Sequence, residues 1–216
     1  MAGTRRTGKQ AAKDAKASSA GIGRKAKSPL DHMIPRELAM VLRTLLVKHP
    51  ELRSEAESIA VDAISAVSLE DTAEDVLNVV TSLGIDALYG RAGKKPWGYV
   101  EPTEAAWELL GEATEDFIAD MRRLAELGQQ EAAEKLCCAV VLGLRRSEGM
   151  GTDGPLGWAP DFPAEQACHA VEELLRILPV RSRRTARDHL IEALGAIVPE
   201  WSKMIMRCVD RETDRQ

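Results

Sequence analysis

Four histidines (His32, His49, His169, His189) and four cysteines (Cys137, Cys138, Cys168, Cys208) are the side chains best suited to metal binding or nucleophilic work. Their spacing supports little of either. A metal site on helices needs converging His and carboxylates, often as Glu-x-x-His pairs. Neither that spacing, nor His-Glu-x-x-His, nor Cys-x-x-Cys occurs. His189 and Glu192 are three apart, and Cys168-His169 falls on the preceding helix, so a Cys/His/Glu cluster between the two is conceivable. The plainer reading is a core cysteine and ordinary surface groups. Adjacent Cys137 and Cys138 sit in an apolar run, where a thiol behaves as a small hydrophobe. Reduced thiols and a cytoplasmic location are the expectation. Glu112, Asp116 and Asp120 line up at i, i+4 and i+8. Paired carboxylates do acid–base work only where burial separates their pKa values. Here they alternate with Ala113, Phe117 and Met121, which reads as the solvated side of an amphipathic helix.

Anion chemistry has more candidates. Gly90-Arg91-Ala92-Gly93-Lys94-Lys95 has neither the spacing nor the hydroxyl of a Walker loop, and no sheet flanks it as a GxxG nucleotide clamp requires. It reads as a surface turn. Arg181, Arg183, Arg184 and Arg187 gather at the start of a helix, where the dipole already favours anions. They await a phosphate, an acidic partner or the chain's own carboxylates. The strongest basic feature is residues 1–27, with Arg5, Arg6, Lys9, Lys13, Lys16, Arg24, Lys25 and Lys27 against the single acid Asp14, a net +7. The other 189 residues hold 21 basic and 33 acidic groups, net −12, so the overall −5 hides two regions of opposite sign. With Ile22 its one large aliphatic besides Met1, the basic segment cannot offset its ordering entropy and is expected to be a disordered arm. Such an arm suits nucleic acid by counterion release, or merely solubilises the chain. No apolar stretch follows the charges as a secretory signal requires, although an Arg/Ser-rich composition also fits a transit peptide.

Only eight of 216 residues are aromatic, and five of them (Tyr89, Trp97, Tyr99, Trp158, Phe162) fall in two Gly-rich stretches. Long loops in compact domains are functional or disordered, and ring anchors argue against disorder. The two loops are expected to meet at one end of the molecule. There the rings either pin the loops to the body or present a partner surface.

The elements that must position these groups read as helices. Leu38, Leu42 and Leu45 form one stripe ending at His49-Pro50; Leu52, Ala56, Ile59, Ala63 and Ile64 form the next. Ser68 reads as an N-cap with Asp71 three residues on, leading Ala73, Val76, Leu77, Val80 and Leu83 to a left-handed cap at Gly84. After a loop over 84–102, Thr103 is expected to cap a long helix with Ala106, Leu110, Ala113, Phe117, Met121 and Leu124 inward. Gly128 closes it. A helix with Ala133, Cys137, Val140, Val141 and Leu144 returns antiparallel. A second loop covers about 148–162. Three more helices carry Ala164 to Leu178, Leu190 to Ile197, and Trp201, Met204, Ile205 and Val209, with Pro179 and Pro199 as punctuation. The total is eight helices and no firm strand, Gly98-Tyr99-Val100 being the one weak candidate.

Short-turn pairs separated by variable loops, with LAELGQQEAAEKLCCAVVLGL at 124–144 as the clearest hairpin, resemble HEAT-like α-helical repeat proteins over residues 35–198. The tetratricopeptide signature opens at Trp107 but falls out of phase downstream. The sequence thus predicts an all-α fold, either a HEAT-like stack or an irregular bundle. It predicts a basic arm and linker over 1–34, then one helical domain over 35–216. No run of about 18 apolar residues predicts a membrane span. No residue is assigned a catalytic, cofactor or metal role, and the reading leans away from an enzyme. A protein-interaction or scaffold module is the leading expectation. The alternatives are nucleic-acid binding through Arg5, Arg6, Lys9, Arg24, Lys25, Lys27 and the Arg181–Arg187 cluster, or an enzyme with an unrecognised site.

Overall fold

A computed structural model describes residues 28–96, 98–151 and 153–214. The chain is all-α, with ten α-helices and one two-stranded hairpin among the described residues. It divides into two units, Met1–Ser54 and Glu55–Gln216. No helix among the described residues is long and apolar enough to cross a membrane.

In the first unit a 3-10 turn, Pro29–His32, precedes α1 (Pro35–Lys48), and a second turn, Pro50–Leu52, follows. The first turn lies in the stretch read as arm and linker, where the Ser28 hydroxyl accepts from the Leu30 amide at 3.3 Å. Pro35 opens α1, where its missing N–H is harmless. Glu37 Oε2 accepts from the Ile34 amide at 3.1 Å, satisfying one of the amides exposed at the helix start. None of the described residues of this unit is buried.

The second unit holds the core. All but the first two residues of α2 (Arg53–Ser65) belong to it, followed by α3 (Leu69–Thr81). The Ser68 hydroxyl caps α3, accepting from the Asp71 amide at 3.3 Å as the sequence predicts. The stretch over 84–102 departs from expectation. Gly84 is extended (φ −83°), not left-handed, and starts a short helix, α4 (Ile85–Arg91). An antiparallel hairpin of β1 (Gly93–Lys95) and β2 (Gly98–Val100) follows, pairing Lys94 with Tyr99. β2 is the weak strand candidate of the sequence, Gly98-Tyr99-Val100; its partner β1 is the part that a plain loop over 84–102 leaves out, with Gly93 (φ 88°) and Gly98 (φ 150°) both in the left-handed half of backbone space.

The long helix α5 (Pro102–Glu126) begins one residue before Thr103, with Glu101 as its N-cap. It buries Ala105, Ala106, Leu110, Thr114, Ile118, Met121 and Leu124, while Ala113 and Phe117 are half-buried. The inward stripe is therefore rotated by about one position from the sequence reading at its centre. Gly128 (φ 75°) turns the chain into α6 (Gln130–Ser147). From Leu136 to Leu144 every residue of α6 is buried. A helix apolar on all sides belongs at the centre of a layer. It packs on α3 and α5, and on α8 (Phe162–Ile177) and α9 (Val180–Ile197). A four-residue helix, α7 (Pro155–Trp158), interrupts the second predicted loop. The last helix, α10 (Ser202–Asp214), follows a 3-10 turn at Pro199–Trp201.

Two features lock the core. Gly143 lets α6 approach α3 so closely that a Cβ there would lie 2.5 Å from the Ala73 carbonyl oxygen. Buried Glu173 on α8 accepts from Arg122 Nε of α5 at 3.0 Å and from Arg176 Nη2 one turn on. Burial alone would raise the Glu173 pKa, but the arginine hydrogen bonds and charges outweigh it and hold the carboxyl below its ordinary value.

Candidate functional site

The side chains left uncovered define the first candidate. Eight of the fourteen residues of α1 are Leu, Ala, Met or Val, and none is buried. Leu38, Leu42, Leu45 and Val41 form one stripe, with Leu42 49% exposed; Met40 and Val47 are open as well. Fourteen residues are marginal as an isolated helix in water, since helices draw most of their stability from packing an apolar face. A groove of about 540 Å³ runs along this helix, lined by Met33, Glu37, Met40, Val41, Thr44, Leu45 and Lys48. Glu37 stands at its N-terminal end and Lys48 at its C-terminal end. The sequence pattern shows the stripe; the exposure of its residues comes from the structure.

The second candidate is a polar cavity of about 610 Å³ in the second unit, lined in part by Ser65, Gln130, Glu134, Lys135, Thr185 and His189. His189 Nδ1 lies 3.2 Å from Glu134 Oε2, and Gln130 Nε2 donates to Glu134 Oε1 at 2.7 Å. Glu134 is buried at 9% exposure, while His189 is exposed. A proton on Nδ1 lets the imidazole donate to Glu134, leaving Nε2 for a ligand or a proton. That is the orienting half of a general-base arrangement, with no nucleophile hydrogen-bonded to the ring among the described residues. The sequence pattern groups His189 with Glu192 and the Cys168-His169 pair instead. Glu134 was findable, because it lies one turn before Cys138 on a helix whose next turns are apolar all round.

The cysteines split into two kinds. Cys137 and Cys138 are free and buried. Burial first, then the nearby Glu134 charge, pushes the Cys138 thiol up to about 12; burial also raises Cys137 well above its usual value. Cys168 and Cys208 instead form a disulfide joining α8 to α10, which corrects the expectation of four reduced thiols. Cys168 and exposed His169 border a separate cavity of about 450 Å³. No group of three or more metal-ligating side chains occurs among the described residues.

The predicted anion contacts scatter. Arg5, Arg6, Lys9, Arg24, Lys25 and Lys27 lie outside the described residues. Arg183 is half-buried and donates from Nε to the Leu178 carbonyl at 2.8 Å and from Nη2 to the Arg176 carbonyl at 2.9 Å. It thus caps the carbonyl end of α8, where a cation is favoured. Arg187 Nη2 pairs with Asp210 at 2.7 Å. Arg181 and Arg184 remain exposed. Around the glycine-rich turn, Arg91 forks onto Glu112 at 2.7 and 2.9 Å and Lys95 donates to the Gly90 carbonyl at 2.7 Å. Glu112, Asp116 and Asp120 are solvated, as the stripe predicts.

The aromatic residues also divide. Tyr89, Tyr99 and Trp158 are exposed, and Trp97 lies outside the described residues. Phe162 is 1% exposed, in the core at the start of α8, where no partner reaches it. Its ring meets Trp107 of α5 edge-on, 5.1 Å between centroids. The sequence places Phe162 in a loop, because the helix start at Asp161–Phe162 lacks a side-chain cap. Gly154 in the second stretch packs on the residue just before the first: a Cβ there would stand 2.5 Å from the Leu83 carbonyl oxygen.

No protein-family profile, no curated protein and no solved structure matches the chain.

Proposed function

We propose that this chain is a non-enzymatic interaction module that docks a protein partner through the apolar face of α1. The observation that carries the reading is a helix with eight apolar residues in fourteen and none of them buried. Apolar surface of this kind is favourable to remove from water at about 25 cal/mol per Å², and contiguous exposed patches mark interaction sites. The helices of the second unit enclose a core of their own.

A photoreactive phenylalanine analogue placed at position 42 tests the reading in the cell the protein comes from. Position 116, on the solvated side of α5, is the control. Irradiation is expected to join the chain covalently to a protein from position 42 and not from position 116. If position 42 yields no protein adduct of any mass, the interaction reading fails.

A further inference from the structure

We propose that the partner of α1 is a second copy of this chain, packed antiparallel along the same groove. This rests on reading α1 as a docking face and adds what covers it.

The charge order along the helix selects the occupant. Glu37 and Lys48 are eleven residues apart, which is about 16 Å along the axis and only about 20° around it. Both therefore line the groove on one side of the Leu38, Val41, Leu42 and Leu45 stripe, which shares Val41 and Leu45 with the groove, an acid at its start and a base at its end. A surface with that order is complementary to itself only when reversed. A two-fold axis passing between Leu42 and Arg43 brings each Glu37 opposite the second copy's Lys48. It also brings Leu38, Val41, Leu42 and Leu45 against the same stripe. A parallel pair would set acid on acid and base on base.

The local bonding leaves both charges available. Glu37 engages Oε2 with the Ile34 amide, and Oε1 is left for an ammonium. Lys48 has no acidic partner among the described residues. Arg36 and Arg43 fall on the far side of the helix from the stripe, so closing the pair does not bury them. An interface in which the same patch serves both copies closes at two. The charges that line the groove are one acid and one base, Glu37 and Lys48, a pair that a reversed copy of the chain complements and a uniformly anionic lipid surface does not.

Sedimentation equilibrium of the full chain tests this. Over roughly micromolar to 100 μM, the mass is expected to rise from 23.6 kDa toward twice that value. Leu42→Glu with Leu45→Glu is expected to leave a monomer. Lys48→Glu alone should weaken association about tenfold at low salt, because it replaces two attractions by two repulsions. The exchange Glu37→Lys with Lys48→Glu should restore it. Circular dichroism of each variant checks that α1 still forms. A chain monomeric throughout overturns the proposal, as does a dimer indifferent to both the leucine and the charge variants. So does binding to phosphatidylglycerol vesicles that protects α1 while the chain stays monomeric. If the chain is monomeric yet position 42 still captures a different protein, the docking reading survives and only the self-copy is lost. If position 42 captures nothing, both fail.

Discussion

Replacing Gly143 by alanine sets two physical effects against each other, and the structure decides the sign. Glycine in a helix interior is worse than alanine by roughly 0.5–1 kcal/mol, so propensity alone predicts a gain. At Gly143 the new methyl would lie 2.5 Å from the Ala73 carbonyl oxygen and 2.7 Å from Val76 Cβ. Ordinary contact begins near 3.4 Å, so α3 and α6 must part by about 0.9 Å. The nearest atom belongs to helix backbone and cannot rotate away. A gap of 0.5–1 Å forfeits a quarter to a half of the dispersion energy of the atoms it separates, and overpacking typically costs about 1–3 kcal/mol. Taking the upper end and subtracting the propensity gain leaves a net loss of about 2 kcal/mol. For a chain of this size that lowers the melting midpoint by roughly 4–8 °C. Gly111, inside α5, is the control, because a Cβ there meets nothing within 4 Å. Gly111→Ala is expected to raise the midpoint by roughly 1–4 °C. Thermal and urea unfolding of both variants gives the answer. If Gly143→Ala stabilises as Gly111→Ala does, the close approach of α3 and α6 is wrong.

Three further outcomes follow from the core. Glu173→Gln is expected to destabilise by about 1–2 kcal/mol near neutral pH, the usual cost of a broken buried pair being reduced because Arg176 and part of Arg122 reach solvent. Since the folded Glu173 pKa lies below its ordinary 4.5, its contribution is complete above that pH and disappears as pH falls through the folded value. Urea titrations below pH 4.5 should therefore show the wild type converging on the variant. Phe162→Ala should cost about 3–5 kcal/mol, the range for a buried ring, whereas exposed Tyr99→Ala should change stability by under about 0.5 kcal/mol. A thiol-reactive dye at pH 8 should find no thiol in the native chain, two in urea without reductant, and four after reduction in urea. Rapid native labelling of Cys138, whose pKa is about 12, would contradict its burial.

Helix identity was legible wherever apolar residues recur at three and four. The Ser68 cap and the helix stop at Gly128 were legible too, because both act through their own side chain or lack of one, whereas Gly84, expected as a left-handed cap, is extended and Gly128 is left-handed instead. What escaped depends on neighbours distant in sequence. The strand Gly93–Lys95 is too short to show alternation, and only its pairing with the weak candidate Gly98–Val100 reveals it. Phe162 looked like a loop anchor because its partner, Trp107, lies far back on another helix. Glu134 and His189 meet across 55 residues. The α1 stripe shows the same limit from the other side. Periodicity shows that a helix has an apolar face, and only coordinates show whether anything lies against it.

The burial of α6 has a consequence for how the molecule opens. A helix enclosed by four others cannot fray into solvent without moving them, so its amides have no cheap local route to exchange. Deuterium should enter Leu136–Leu144 only when the whole second unit unfolds, and the exchange rate there would report that unit's global stability. Amides of α1, with no buried residue beneath them, would exchange through small openings of that helix alone. The two helices thus form the slow and fast ends of one clock, and anything that covers α1 should register first as a delay at its fast end.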